Sequence, residues 1–185
     1  MKEHIVLVKS LTALVVVVML SSPCRSQLHS EPHVAAKKQP VFRSPFVLKL
    51  HVDNERSYEE RFEHIPYVAE NEVYLFAGET FGINVTIARN GFSKVTYQPE
   101  PAKADVEFKF TQEKSATGFM MLLVIQNRLK HSVSLDALMT VPGDKGIHET
   151  SVLPIGPGRS NTESWPHPIV QLMLKNLRLS SSAGQ

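Results

Sequence analysis

Val106-Glu107-Phe108-Lys109-Phe110 alternates apolar and charged side chains position by position, the period of a strand with one face in a core and the other in water. The same period returns at Phe46, Leu48, Leu50 and Val52, at Phe81, Ile83, Val85 and Ile87, and at Val133, Leu135, Ala137, Met139 and Val141. Between them stand Lys49, His51, Asn84, Thr86, Ser134 and Asp136, residues suited to a wet face.

Turn residues divide these runs. Asn90-Gly91 supplies the positive backbone angles of a tight hairpin, and Asp53-Asn54 and Ala116-Thr117-Gly118 read as further turns. Pro99 and Pro101 end one strand because neither can donate to a ladder, and Pro142-Gly143-Asp144-Lys145-Gly146 ends another. Glu55 to Arg61 mixes both signs of charge and reads as a guarded edge strand. In 169–179 the alternation of Val170, Leu172 and Leu174 indicates a strand, although Ile169, Leu172, Met173 and Leu177 also share a helical stripe. A strand there requires a bulge near Lys175 and Asn176, where the apolar phase slips before Leu177. About nine short strands and no long helix follow, hence an all-β fold, either two sheets packed face to face or a small barrel, with a two-layer antiparallel β-sandwich expected.

Strand number, turn spacing and Ile125-Gln126-Asn127, an apolar strand closed by an Asn, give residues Val41 to Leu179 a resemblance to the immunoglobulin-like and fibronectin-like sandwiches of exported bacterial proteins. The chain departs from that pattern in having no cysteine pair and in placing its single tryptophan, Trp165, late. The resemblance implies an immunoglobulin-like sandwich; such domains carry many functions, so it implies little about chemistry.

The first 26 residues read as an export signal, with a short charged start, an apolar run from Leu11 to Leu20 broken only by Thr12, and a small polar stretch ending at Ser26. The apolar segment from Ile5, interrupted by Lys9, is shorter than the ~18 to 20 residues of a membrane span. Pro23 opposes cleavage after Ser22, so the expected scissile bond follows Ser26 and Cys24 leaves with the signal; lipidation of Cys24 fits poorly because Ser21-Ser22-Pro23 precedes it. The expected division is a signal peptide at 1–26, a flexible arm at 27–41, the sandwich at 42–179 and a disordered tail at 180–185. Localisation is therefore expected to be periplasmic or secreted, with membrane contact only through the signal.

Loss of Lys2, Lys9 and Arg25 against Glu3 takes the formal charge from +2 to zero. A neutral chain lacks the basic excess that phosphate binding demands, so no nucleic-acid partner is expected. Without a cysteine in the remainder, stability must come from packing, and Asn84-Val85-Thr86 reads as strand rather than as a glycan site. The histidines at 29, 33, 51, 64, 131, 148 and 167 contain no His-x-His pair, and the four-residue spacing of His29 and His33 lies in the arm beside Pro32. Neither a metal nor another cofactor is expected. Gly156-Pro157-Gly158-Arg159-Ser160 reads as a surface turn, since no helix follows to hold an anion.

Two features point towards binding. Phe119 to Ile125 is apolar at seven successive positions, so both faces of that strand avoid water, and Val73-Tyr74-Leu75-Phe76 has the same character. Their alternate residues, Tyr74, Phe76, Met120, Leu122 and Val124, are expected to form an outer apolar face covered by the chain itself or by a partner. Trp165 and His167 stand in a proline-stiffened loop that suits either ligand contact or a plug at one end of the core. The expected function is non-catalytic binding or scaffolding, through a protein partner or self-association, with no catalytic residue assigned and any small-molecule ligand unknown. The alternative is a hydrolase or metal-handling protein whose polar groups, drawn from His51, His64, His131, His148 and His167, meet across strands.

Overall fold

The computed structural model describes residues 39–89 and 91–180. Twelve strands occur among them: β1 (Phe46–His51), β2 (Ser57–Phe62), β3 (Val68–Ala69), β4 (Glu72–Leu75), β5 (Glu79–Ala88), β6 (Gly91–Gln98), β7 (Val106–Ser115), β8 (Gly118–Asn127), β9 (Ser132–Thr140), β10 (His148–Thr150), β11 (Ser160–Trp165) and β12 (Gln171–Ser180). The only helical piece among the described residues is a 3-10 turn at Pro101–Lys103. All pairings are antiparallel.

β1 and β2 form a hairpin of their own, and the other ten strands are joined in one hydrogen-bonded sheet, in which β12 and β6 meet at a single residue pair, Arg178 with Gly91. At that corner the sheet divides into two leaves, β10-β9-β12-β4-β3 and β6-β5-β7-β8-β11. Their inward side chains share one core: Val73 and Leu75 of β4, Leu135 of β9 and Leu172 and Leu174 of β12 join Ile83 of β5, Val106, Phe108 and Phe110 of β7 and Leu123 of β8. This is the all-β sandwich that alternation predicts. The hairpin contributes Leu48 and Leu50 to the same core and is tied to β7 where Gln112 exchanges two hydrogen bonds with the His51 backbone, both 2.8 Å.

Segment 169–179 is strand, and its bulge is where the slip in apolar phase places it. Lys175 pairs with Asp136 and Arg178 with Ser134, so Asn176 and Leu177 together oppose Leu135. Asn176 takes a left-handed conformation (φ 52°), which Asn tolerates better than most residues. The extra residue restores Leu177 to the core side, in phase with Leu172 and Leu174.

Other boundaries differ from the sequence reading. The β5–β6 turn sits one residue early, with Ala88 paired to Gly91 and Arg89 at φ 54°; Asn90 lies outside the described residues, as do 1–38, where the export signal is expected, and 181–185. Val41, assigned to the arm, accepts a hydrogen bond from Tyr67 N–H (3.0 Å), and Ser180, assigned to the tail, ends β12. Three strands beyond the expected nine are short or polar; the chief one is β11, where a turn and a proline-stiffened loop were expected. Only glycine fits at position 82, since a Cβ there would stand 2.1 Å from that of Ala104.

Asn176→Val should lower stability by about 1–2 kcal/mol, because a β-branched residue resists the left-handed conformation, while Asn176→Gly should leave it nearly unchanged. Urea unfolding midpoints of the two variants measure the difference.

Candidate functional site

The seven apolar positions of β8 divide by parity. Met121, Leu123 and Ile125 are wholly buried, whereas Met120, Leu122 and Val124 lie on the outer face and are half-buried. Across the ladder Met120 faces Glu113, Leu122 faces Thr111 and Val124 faces Lys109 on β7; Leu122 and Val124 face Ser164 and Thr162 on β11. The stripe is thus one strand wide, with hydroxyls at its middle and charges on one flank.

Tyr74 and Phe76 do not join it, which corrects the expectation of a shared face. β4 lies in the other leaf, beside β12. Phe76, just beyond β4, is 1 % exposed and packs its ring against Phe46 and Phe62 at 5.0 and 4.9 Å, so it belongs to the core. Tyr74 points outward and donates its hydroxyl hydrogen bond to Glu72 Oε2 at 2.8 Å. Burial, followed by that carboxylate, pushes the Tyr74 phenol up to about 12.

Trp165 is the core plug rather than a ligand contact. It ends β11 at 7 % exposure, meets Phe110 edge to face at 6.5 Å and donates Nε1–H to Thr150 Oγ1 at 2.8 Å. That bond links the end strands of the two leaves, β10 and β11. His167 is half-buried, with Nδ1 3.3 Å from the Pro168 carbonyl. Tyr67 and Tyr97 stack on each other at 4.1 Å beside Phe81, apart from the Trp165–Phe110 pair.

His51 and His148 have separate surroundings. His51 stacks on Phe119 at 4.2 Å, and His148 Nε2 lies 2.9 Å from Asp144 Oδ2. The Asp144 carboxyl is held below its ordinary value by the Gly146 N–H and then by His148. Among the described residues no three His, Cys, Asp or Glu side chains converge to hold a metal ion.

Two polar centres inside the fold were not singled out from the sequence for what they do. Arg43 is 5 % exposed, and its Nε and Nη2 reach the two carboxylate oxygens of Glu79 at 2.5 and 2.7 Å. Nη1 donates to Pro66 O at 2.6 Å and Nη2 to Tyr74 O at 2.6 Å, while the guanidinium lies 4.0 Å from the centre of the Tyr67 ring. Glu79 Oε2 also accepts the Phe76 N–H at 2.9 Å. A bidentate, fully donated guanidinium under an aromatic lid is an arrangement lysine cannot copy. It fastens Val41 to Arg43 against the segment 65–67 and against β4 and β5. Asn127, wholly buried at the end of β8, places Nδ2 within 2.9, 3.1 and 3.0 Å of the carbonyls of His131, Ile155 and Gly156, and accepts the Leu129 N–H at 3.0 Å. It holds the turn into β9 against the segment that closes this side of the sandwich.

Arg43→Ala should destabilise the fold by about 3–5 kcal/mol, since it leaves Glu79 and two carbonyls without their donor, and Arg43→Lys should recover little of that loss. Urea unfolding of both variants measures it. Above the same cage Tyr97 is pushed up to about 12 from 10.0, by burial first and then by Tyr67. The folded state holds this proton more tightly than the unfolded chain. The stabilisation is therefore complete below pH 10.0 and is lost as pH rises through about 12. Tyrosinate absorbance should accordingly appear at lower pH in the urea-unfolded chain than in the folded protein.

In comparison with known proteins, the chain matches no family model, no curated protein and no solved structure.

Proposed function

We propose that this chain is an exported, non-catalytic binding or scaffolding module, an immunoglobulin-like sandwich of the kind exported by bacteria, whose outer β8 face receives a protein partner. The observation that carries the reading is the outward Met120-Leu122-Val124 stripe, which keeps part of its apolar surface in water although the inward residues of the same strand already fill the core. Such surface is costly to leave wet, and a flexible Met beside branched Leu and Val adapts to a partner's side chains. Thr111, Thr162 and Ser164 beside it offer hydroxyls for a polar rim. Export is supported by the apolar run from Leu11 to Leu20 behind a short charged start and ahead of a small polar stretch ending at Ser26.

Leu122→Lys tests the reading, because position 122 faces outward and the change should leave the unfolding midpoint nearly unaltered. Protein captured from the native envelope fraction by the wild-type chain should be lost with this variant, and affinity for the identified partner should fall by at least about tenfold. Equal capture by both chains would show that the stripe binds nothing.

A further inference from the structure

Asn127 N–H donates to Arg159 O at 2.9 Å, and that pair fixes the phase of the β8–β11 ladder. Residues directly opposite in an antiparallel ladder exchange hydrogen bonds at every second position, so Asn161, Glu163 and Trp165 turn their backbone groups towards β8. Ser160, Thr162 and Ser164 turn theirs the other way. Among the described residues no donor or acceptor pairs with those outward N–H and C=O groups, and all three residues are exposed.

Most other edges are shielded: on β1, which pairs only with β2, the His51 backbone is met by Gln112 and Lys49 supplies a charge. β2 carries Glu59, Glu60 and Arg61, β10 and β3 are only three and two residues long, and β6 is met by Arg178 of β12 and by Asn71 Oδ1, which accepts the Val95 N–H at 2.9 Å. β11 is six residues long and lines its open edge with Ser, Thr and Ser, without a charge or a proline among them. Leu153 lies directly beside it: its N–H donates to Glu163 Oε1 at 2.9 Å, its carbonyl lies 3.4 Å from Asn161 Nδ2, and its side chain is 65 % exposed. An unguarded edge with an exposed leucine beside it is what strand addition requires.

We propose that β11 pairs antiparallel with β11 of a second copy of this chain, giving a twofold dimer with a sheet continuous through both molecules. The edge is self-complementary: with the axis at Thr162, Ser160 of one copy lies opposite Ser164 of the other, and each open N–H finds an open C=O. The full chain carries a formal net charge of only +2, so the approach of a second copy meets little net repulsion. The axis runs perpendicular to the sheet, so both Met120-Leu122-Val124 stripes face the same side. The edge pairing stands independently of what those stripes contact.

Thr162→Pro tests it directly. The Thr162 N–H points away from β8, so proline removes an edge donor without removing a bond of the β8 ladder. Thr162→Lys keeps the donor and adds the kind of charge that guards β2. Sedimentation equilibrium of the purified full chain across a concentration series should show twice the monomer mass, with association weakened by at least about tenfold in both variants. Amide hydrogen exchange at Thr162 in the wild type should slow as concentration rises, a readout that needs no variant to fold. A monomeric wild type, or Thr162 protection independent of concentration, would overturn the proposal, the latter because the chain's own residues would then cover the edge. A dimer that survives Thr162→Pro but is lost with Leu122→Lys would also overturn it, and would place self-association on the β8 stripe.

Discussion

Two residues facing one, Asn176 and Leu177 opposite Leu135, allow a single strand to serve both halves of this molecule. Before the bulge β12 lies between β9 and β4; after it, Arg178 reaches β6. Without the inserted residue Leu177 would turn to water. A bulge also sharpens local twist, which suits the point where the sheet divides into leaves. The shared core, filled by Phe81, Phe108, Phe110 and the aliphatics around them, follows from that constraint.

At the opposite side no continuous ladder joins the leaves; side-chain contacts and one isolated backbone bridge hold the segments there. Asn127 gathers three carbonyls, Trp165 reaches Thr150, and the Val133–Ile155 bridge closes the gap. Arg43 acts likewise for the N-terminal segment, drawing it onto β4 and β5 through Glu79. Each centre is fully partnered, so each favours one arrangement of loops over its competitors, since a misplaced loop would leave a buried polar group unpaired.

Period-two alternation was enough to read the long strands, because β7 buries Val106, Phe108 and Phe110 and β9 buries Val133, Leu135 and Ala137 on one face, while on β5 the pattern buries Phe81 and Ile83 but leaves Ile87 exposed. The slip between Leu174 and Leu177 even marked the bulge, since a strand can re-phase its apolar side only by inserting a residue. β11 escaped notice because its inward positions Asn161 and Glu163 are polar; they serve the Leu153 backbone instead of the core, and only Trp165 carries an apolar signal. Phe76 and Trp165 look alike whether they plug a core or contact a ligand, because hydrophobicity records the wish to leave water and not the surface that grants it. Arg43 was illegible for a related reason: its burial depends on Pro66, Tyr67, Tyr74 and Glu79, which lie far from it in sequence and meet only in the fold. Of the expected apolar face, the β8 half could be read from seven apolar positions in a row, while its separation from β4 depended on topology.

The most direct test of this architecture is the pairing of β12 with β9, read from cross-strand nuclear Overhauser contacts between backbone protons. Contacts should place Leu174 opposite Ala137 and Leu179 opposite Val133, with the register slipping by one residue between them. An unbroken register along the whole of β12, or helical sequential contacts through Leu172 to Leu177, would contradict it.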